Sequence, residues 1–296
     1  IGNVNASEDF TLTVSGSSTA TVTDFDADTF ASIDASASTG KLTVSAGSSD
    51  GNVTILGGSA GDAITFTNTI ATGKVHSISG AAGDDTITGG AGGETILGGA
   101  GNDSLIGGAG NDSISGGAGN DTFNFGTAAD LNNGDTVDGG DGTDTVLITS
   151  TADLDSAITA STSTTLTSVE TVDIHATATG KAFDATNWTS LTTLIVGAAT
   201  NTHTMDVNNL PDGVTVQIDD ANLDNSSFDV QAGADITIDL EATTATGLTI
   251  TDAVNVTIYS SDGAGDATAL ALDATDTKTL TLTAADGVGL DVGNIT

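Results

Sequence analysis

The sequence has 296 residues, of which 40 are acidic and only 4 are lysine or arginine, and its formal net charge is −36. This charge excludes nucleic-acid binding as the main function and excludes attachment to an anionic membrane surface, because both depend on clustered cations. The absence of cysteine excludes disulfides and thiolate metal sites, and no apolar run approaches the ~20 residues of a membrane-spanning helix.

The first segment, residues 1–56, contains short runs in which apolar residues alternate with threonine. Alternation of this kind is typical of half-buried strands, and the runs centre near 12, 22, 33, 43 and 54, at steps of ten or eleven residues. Even steps with few hairpin signals favour a parallel β-solenoid, and a β-sandwich is the alternative. The runs lie at 10–14, 20–24, 41–45 and 52–56.

The second segment, residues 57–148, carries a nine-residue repeat. Five units follow one another from 80 to 124, with glycine at position one, an acidic residue at position six and an apolar residue at position eight. A sixth unit runs from 139 to 147, and degraded copies cover 57–65 and 130–138. The position-six residues are Asp62, Asp85, Glu94, Asp103, Asp112, Asp121, Asp135 and Asp144, and the position-eight residues of the five consecutive units are Ile87, Ile96, Leu105, Ile114 and Phe123.

The chemistry of the repeat indicates a hard divalent cation. Calcium binds about six to eight oxygens, which carboxylates and carbonyls supply, and the units offer no histidine, cysteine or methionine for a softer metal. Glycines at positions one, two and four let the backbone bring its carbonyls together. The alternative is a disordered linker. Acidic stretches outside the repeat, such as 24–28 and Asp219 with Asp220, are either solvated faces or further calcium sites.

The units resemble the RTX nonapeptide, G-G-x-G-x-D-x-U-x. This resemblance implies a parallel β-roll in which calcium lies between successive turns, with Asp85, Asp103 and Asp121 at one edge and Glu94 and Asp112 at the other. Carbonyls at positions one, three and five would complete the calcium ligands that the eight position-six side chains begin. The residues predicted to supply these carbonyls are Gly80, Ala82, Asp84, Gly89, Ala91, Gly98, Ala100, Asn102, Gly107, Ala109, Asn111, Gly116, Ala118 and Asn120.

Two residues depart from the RTX pattern. Glu94 has a longer side chain than the usual aspartate, and Ala81 replaces the second glycine of the first unit.

Alternating runs resume in the third segment, residues 149–296. Short helical or irregular insertions are predicted at 127–131, at 150–160, where Ser150 could cap a helix, and at 186–191. The stretch 166–196 resembles bacterial surface-layer (S-layer) proteins with RTX repeats, in which a nonapeptide block precedes strand arrays rich in threonine, alanine and valine. The runs lie at 214–218, 235–240, 247–251, 255–259 and 279–283.

No motif in the sequence indicates a catalytic site, and we expect no enzymatic activity. His76, His175 and His203 are far apart and lack the context of a metalloprotease or a triad, so we expect them at the surface of strands or turns. Trp188 and Met205 are interpreted as core or capping residues.

The predicted fold is all-β: a parallel β-solenoid with a calcium-binding β-roll and short helical insertions, divided into 1–56, 57–148 and 149–296. The predicted function is that of a non-catalytic structural protein of the bacterial cell surface, most like an S-layer subunit that folds and assembles on extracellular calcium. The alternatives are an RTX adhesin or matrix stalk, and the folding and secretion module of an RTX enzyme or toxin.

The expected partners follow from the same interpretation. We expect copies of the chain to form a calcium-bridged lattice or filament, without nucleic acid and without membrane insertion. We expect this chain to be a portion of a longer protein. Other regions of that protein would make any contact with a cell-surface polysaccharide. The RTX resemblance implies type I secretion, and hence a location outside the cell or on its surface.

Overall fold

The computed structural model describes the chain in segments that form two compact units, unit 1 (residues 1–146 and 163–168) and unit 2 (residues 147–162 and 169–296). The division into three segments stays a prediction. The described residues are 4–6, 10–27, 30–47, 51–66, 75–126, 134–149, 165–175, 179–197, 204–218, 227–231, 234–240, 248–251, 253–259, 267–273, 279–283 and 290–295.

The strands of unit 1 alternate along the chain between two sheets, the odd-numbered strands in one and the even-numbered strands in the other. They are β1 (Val4–Ala6), β2 (Phe10–Gly16), β3 (Ala20–Ala27), β4 (Phe30–Ser38), β5 (Leu42–Ala46), β6 (Asn52–Leu56), β7 (Ala63–Phe66), β8 (Val75–Ala82), β9 (Thr86–Thr88), β10 (Gly93–Ala100), β11 (Ser104–Ile106), β12 (Ser113–Ala118), β13 (Thr122–Phe125), β14 (Thr136–Asp141), the first half of β15 (Thr145–Ile148) and β16 (Thr165–Thr167).

Unit 2 repeats this alternation. Its strands are β17 (Thr171–Ile174), β18 (Thr179–Asp184), β19 (Thr193–Val196), β20 (Thr204–Leu210), β21 (Val214–Ile218), β22 (Ser227–Val230), β23 (Asp235–Leu240), β24 (Leu248–Thr251), β25 (Asn255–Tyr259), β26 (Ala267–Asp273), β27 (Thr279–Thr283) and β28 (Leu290–Ile295).

Every described strand pair is parallel and joins strands two apart in the chain, which makes each unit a β-solenoid. In the repeat region Leu105 pairs with Phe123, so that one coil advances by 18 residues. Outside it the coils are longer: Val44 pairs with Ile64, and Val172 pairs with Leu194. The predicted parallel solenoid is therefore confirmed, and the sandwich alternative is wrong.

The core of unit 1 lies between the two sheets, where position-eight side chains from successive coils stack. Alternation along each strand turns every second residue inward, and these inward residues are fully or almost fully buried. One stack belongs to the odd-numbered strands and the other to the even-numbered strands. The stacks are Ile64, Ile87, Leu105, Phe123 and Val146, and Ile78, Ile96, Ile114, Val137 and Leu166.

At position two of the turn, the backbone has positive φ in the first, third, fourth and fifth consecutive units. Gly99 has a φ of 122°, and a Cβ built on it would lie 2.1 Å from the carbonyl oxygen of Ala81 in the preceding coil. Ala81 occupies the equivalent position of the first unit with a φ of 79°. The departure of Ala81 from the repeat thus places an L-residue in a region that strongly favours glycine.

The predicted helical insertions at 127–131 and 150–160 lie outside the described residues, as do Asp219 and Asp220. At 186–191 the chain forms two turns closed by hydrogen bonds, from Trp188 N to Ala185 O (2.9 Å) and from Leu191 N to Trp188 O (3.2 Å). The side chain of Trp188 is buried, which confirms it as a core residue. In the part of the chain that the structure describes there is no helix, and therefore none suited to crossing a membrane.

Some predictions concern side chains that the structure does not describe. The acidic stretch 24–28 begins within β3, but the side chains of Asp24 and Asp26 are not described, and Asp28 and His203 lie outside the described residues. The side chain of Met205, in β20, is likewise not described. The alternatives stated for these residues stay predictions.

Candidate metal centre

Position-six carboxylates from alternate units form a column along one edge of the roll, which we call the first column (Asp62, Asp85, Asp103, Asp121 and Asp144). Each of the four carboxylates after Asp62 accepts a hydrogen bond from the backbone amide of the position-six residue one coil earlier. Asp85 N donates to Oδ1 of Asp103 and Asp103 N donates to Oδ1 of Asp121, both at 2.8 Å. The 18-residue coil therefore brings alternate units into direct contact.

The second column, on the opposite edge, consists of Glu94, Asp112 and Asp135. Glu94 N donates to Oδ1 of Asp112 (2.7 Å), and Asp112 N donates to Oδ1 of Asp135 (2.8 Å). The longer Glu94 side chain turns back into its own turn, where its Oε2 accepts a hydrogen bond from Gly90 N (3.2 Å). The two columns contain the residues that the RTX resemblance assigns to the two edges.

The carboxylates are buried although the protein carries a large excess of negative charge. No position-six carboxylate in the two columns is more than 2 % exposed. Oδ2 of Asp85, Asp103 and Asp121 and Oε1 of Glu94 are buried without a hydrogen-bond partner. An uncompensated buried carboxylate is costly, so these oxygens require either a proton or a cation.

The unpartnered oxygens point to places where backbone carbonyls also converge. A Cβ built on Gly98 would lie 2.2 Å from Oδ2 of Asp103 and 2.6 Å from the carbonyl oxygen of Gly116. A Cβ on Gly116 would lie 2.2 Å from Oδ2 of Asp121 and 2.6 Å from the carbonyl oxygen of Gly139. Position-one glycine thus keeps open a space bordered by a carboxylate oxygen and a carbonyl oxygen of the next coil.

Burial shifts the protonation of these groups. Burial raises the pKa of Asp85 to about 7, with the nearby charge of Asp103 adding to it. Burial, followed by the charge of Asp112, raises the pKa of Glu94 to about 8. Burial also raises the pKa values of Asp103 and Asp121. Both columns therefore favour binding a positive species, and a divalent cation would return the carboxylates to their ionised form.

The arrangement fits calcium because the donors are all oxygens and most must come from the backbone. Among the described residues, no group of three or more His, Cys, Asp or Glu side chains could hold a metal ion. Each coil instead offers one carboxylate per edge together with turn carbonyls, a donor set that suits a hard cation with many oxygen ligands. The predicted ligand roles of the individual residues stay predictions.

Among the predicted position-three carbonyl ligands, two already accept hydrogen bonds. Gly83 N donates to Ala100 O (2.7 Å), and Gly101 N donates to Ala118 O (2.8 Å). A carbonyl oxygen has a second lone pair, so these carbonyls can still contact a cation.

A third column, at position five, consists of the exposed side chains of Asp84, Asn102 and Asn120. Asn102 N donates to Oδ1 of Asp84 (2.8 Å), Asn120 N to Oδ1 of Asn102 (2.8 Å), and Thr143 N to Oδ1 of Asn120 (2.9 Å). These side chains bond to the next coil, whereas position-six side chains bond to the preceding one. Adjacent coils are thus joined in both directions.

Asp62 differs from the other members of the first column because backbone amides satisfy both of its oxygens. Leu42 N donates to Oδ1 (2.7 Å) and Gly58 N donates to Oδ2 (2.9 Å). Asp62 therefore closes its own turn by hydrogen bonds at the upstream end of the column. Its role as a calcium ligand stays a prediction.

His76 lies at the upstream end of the second column, and the expectation that it is a surface residue is wrong. It is a register partner of Glu94, is fully buried, and accepts a hydrogen bond at Nδ1 from Val53 N (3.2 Å). Its ring stacks on Phe66 with centroids 4.6 Å apart, and burial lowers its pKa to about 4. The signal for this placement was its 18-residue distance from Glu94, with Ile78 in phase at position eight.

His175 has no comparable neighbour. Its Nδ1 contacts Oδ1 of Asp173, its side chain is 39 % exposed, and its backbone amide donates to Ile148 O. Neither His175 nor His76 therefore belongs to a described cluster that resembles a catalytic site.

Comparison with known proteins identifies the repeats. Residues 77–105, 88–123 and 97–131 match the family model of the RTX calcium-binding nonapeptide repeat (4 copies). No curated protein and no solved structure is significantly similar to the chain. RTX-repeat proteins are typically secreted. The chain thus carries RTX nonapeptide repeats, which bind calcium, in the part that contains the buried carboxylates from Asp85 to Asp121.

Proposed function

We propose that this chain is part of a non-catalytic structural protein of the bacterial cell surface, an S-layer subunit that folds and assembles on extracellular calcium. The observation that carries the proposal is the set of buried carboxylate oxygens without partners at Asp85, Glu94, Asp103 and Asp121. Calcium would satisfy these oxygens and couple ion binding to formation of the roll.

Because folding is coupled to calcium, the chain would be unfolded in the cytosol and folded outside the cell. In a cytosol poor in calcium, buried like charges disfavour the roll and the chain stays competent for export. Outside the cell, free calcium adds a binding free energy to the folded state, by mass action at each site. Because successive coils share each column, we expect the transition to be steep.

The excess of negative charge supports self-assembly that depends on calcium. With a formal net charge of −36, copies of the chain repel one another unless cations lie between them. Asp84, Asp138 and Asp141 are exposed on the roll and lie outside the buried columns, so they are available for calcium bridges between copies.

Electron microscopy of the purified chain with calcium and with EGTA tests the proposal. An ordered two-dimensional sheet that forms only with calcium supports the S-layer function. Isolated rods would favour the stalk alternative and contradict the lattice, and calcium-bound single particles would contradict both.

Matched variants separate assembly from folding. An Asp84→Asn, Asp138→Asn and Asp141→Asn triple variant should fold with calcium but assemble poorly. An Asp85→Asn, Asp103→Asn and Asp121→Asn triple variant should gain little structure when calcium is added, which circular dichroism would detect. Equal assembly by the first variant and the unaltered chain would contradict bridging through these residues.

A further inference from the structure

Backbone hydrogen bonds identify, in each coil of unit 2, the residue that corresponds to position six of the roll. In the roll, the residue after each position-six carboxylate donates to the carbonyl of the carboxylate one coil earlier, as Thr122 N does to Asp103 O (2.8 Å). In unit 2 the same bond runs from Thr193 N to Glu170 O and from Thr215 N to Thr192 O, both at 2.9 Å. Glu170 and Thr192 therefore occupy position six of their coils.

Beyond Glu170 this position carries no carboxylate along the odd-numbered strands of unit 2. After Thr192 it is occupied by Val214, Ile236 and Val256, which are register partners of one another. All three are buried, with at most 1 % exposure. Leu280, the register partner of Val256, continues the series. Aliphatic side chains thus fill the place at which the roll buries charge.

Strands β21 and β25 of unit 2 bury more apolar side chains than β9 and β11 of the roll, and at least as many as β13, which buries Phe123 and Phe125. In the roll, β9 and β11 bury one apolar residue each, Ile87 and Leu105. In unit 2, β21 buries Val214, Val216 and Ile218, and β25 buries Val256 and Ile258. Because hydrophobic stabilisation scales with buried apolar area, the coils of unit 2 depend less on any bound ion.

Hydrogen bonds that involve side chains still join neighbouring coils in unit 2, but here they are exposed. Asp235 N donates to Oδ1 of Asp212 (2.8 Å), and Asn255 donates to Oδ1 of Asp235 from N (3.2 Å) and from Nδ2 (2.7 Å). These three residues belong to β-turns or strand starts, and the bonds are exposed. Among its described residues, unit 2 buries one acidic side chain, Asp239, whereas unit 1 buries the eight position-six carboxylates.

From these observations we infer that unit 2 folds without calcium, so that the chain combines a calcium-dependent roll with a calcium-independent solenoid. This inference goes beyond the proposed function because it does not require a lattice or a cell surface. When calcium is withdrawn, the roll loses its structure and unit 2 keeps its own.

Hydrogen exchange of the full chain, read by mass spectrometry in calcium and in EGTA, tests the inference. With EGTA, amides of the roll at 86–125 should lose protection by about 100-fold or more, while amides at 193–196, 214–218 and 255–259 should change by less than about twofold. Parallel loss of protection in unit 2 would overturn the inference and leave calcium-dependent folding of the roll intact. If the roll does not respond, the proposed function fails and so does the contrast between the two units, whereas protection retained by unit 2 in EGTA still supports calcium-independent folding of unit 2.

A pair of variants provides a second readout. Ile236→Asp places one carboxylate between Val214 and Val256, and should reduce protection in unit 2 by about tenfold or more both with calcium and with EGTA. Asp103→Asn, the matched change in the roll, should alter protection only within the roll. An equal loss of protection in unit 2 for Asp103→Asn would show that unit 2 depends on the calcium-bound roll, and would overturn the inference.

Discussion

The backbone amide of Asp85 donates a 2.8 Å hydrogen bond to Oδ1 of Asp103, and Oδ2 of the same carboxylate is buried without a partner. One oxygen therefore holds two coils together, and the other is left for a cation. The two oxygens of one side chain therefore have different roles, which explains why the repeat has an acidic residue at position six. The hydrogen bond to the backbone needs only an oxygen, whereas binding of a cation needs the negative charge.

Asp103→Asn should have opposite effects with and without calcium. The amide oxygen can still accept the hydrogen bond from Asp85 N, but the charge is gone. With EGTA we expect unchanged or higher stability, because a buried uncompensated carboxylate has been removed. With calcium we expect the calcium midpoint of folding to rise about tenfold or more, equivalent to about 1.4 kcal/mol. Calcium titrations followed by far-ultraviolet circular dichroism measure both effects.

The matched control is Asp84→Asn. Asp84 precedes Asp85 and is exposed, and its Oδ1 accepts the hydrogen bond from Asn102 N that an asparagine can also accept. Its calcium midpoint should move by less than about twofold. Equal shifts for the two variants would contradict a special role of the buried oxygen.

The ion-free roll should become more stable as the pH falls from about 8 to about 6.5. The pKa values of Asp85 and Glu94 are raised to about 7 and about 8, above the value near 4 of the unfolded chain. The folded state therefore binds protons more tightly, and this stabilisation is complete below about pH 4 and is lost as the pH rises through 7 and 8. Far-ultraviolet circular dichroism in EGTA across this interval measures the change, as a gain of strand signal from the roll at the lower pH.

Calcium should reverse this pH dependence. Calcium must displace the protons from the carboxylates, so its affinity decreases as the pH falls, and the roll in limiting calcium should be less stable at about pH 6.5 than at about pH 8. Below about 6.5, His76 opposes the carboxylates, because its pKa is lowered to about 4 and protonation favours the unfolded chain. Identical pH slopes with calcium and with EGTA would contradict proton displacement.

Magnesium should not replace calcium. A carboxylate oxygen and a carbonyl oxygen of the next coil lie beside Gly98, and an equivalent pair lies beside Gly116. Magnesium requires near-octahedral geometry at about 2.0–2.1 Å and gives up its water reluctantly. After EGTA treatment, addition of magnesium should leave the circular dichroism of the chain unchanged, whereas an equal concentration of calcium should restore it. Full recovery with magnesium would contradict the expected selectivity of the sites for calcium over magnesium.

The sequence was sufficient to predict the solenoid and the two edges of the roll, because a nine-residue period fixes which side chains meet. Asp85 and Asp103 are 18 residues apart, and one coil of that length brings them into register. The placement of His76 was missed because the repeat pattern has an acidic residue at position six and not a histidine. Ile78, two residues later, is in phase with the position-eight residues, since it pairs with Ile96.

Other features could not be predicted because they depend on local contacts. The role of Asp62 depends on whether a nearby amide, that of Gly58, reaches its second oxygen. The aliphatic position-six residues of unit 2, such as Val214 and Ile236, became recognisable only when backbone hydrogen bonds defined that position in coils of irregular length.

At position two of the turn, the first unit carries Ala81 at a φ of 79°. Ala81→Gly should stabilise the roll by about 0.5 kcal/mol, because relief of the left-handed strain of about 1–2 kcal/mol outweighs the greater entropy that glycine loses on folding. Gly117→Ala, at the equivalent position, should destabilise it by about 3 kcal/mol or more, because the new Cβ would lie 2.1 Å from Gly99 O at a φ of 113°. Thermal unfolding in saturating calcium compares these variants with Ala100→Gly, which replaces an alanine without positive φ and should lose about 0.5–1 kcal/mol. Equal losses for Ala81→Gly and Ala100→Gly would show that the backbone at position two stores no strain.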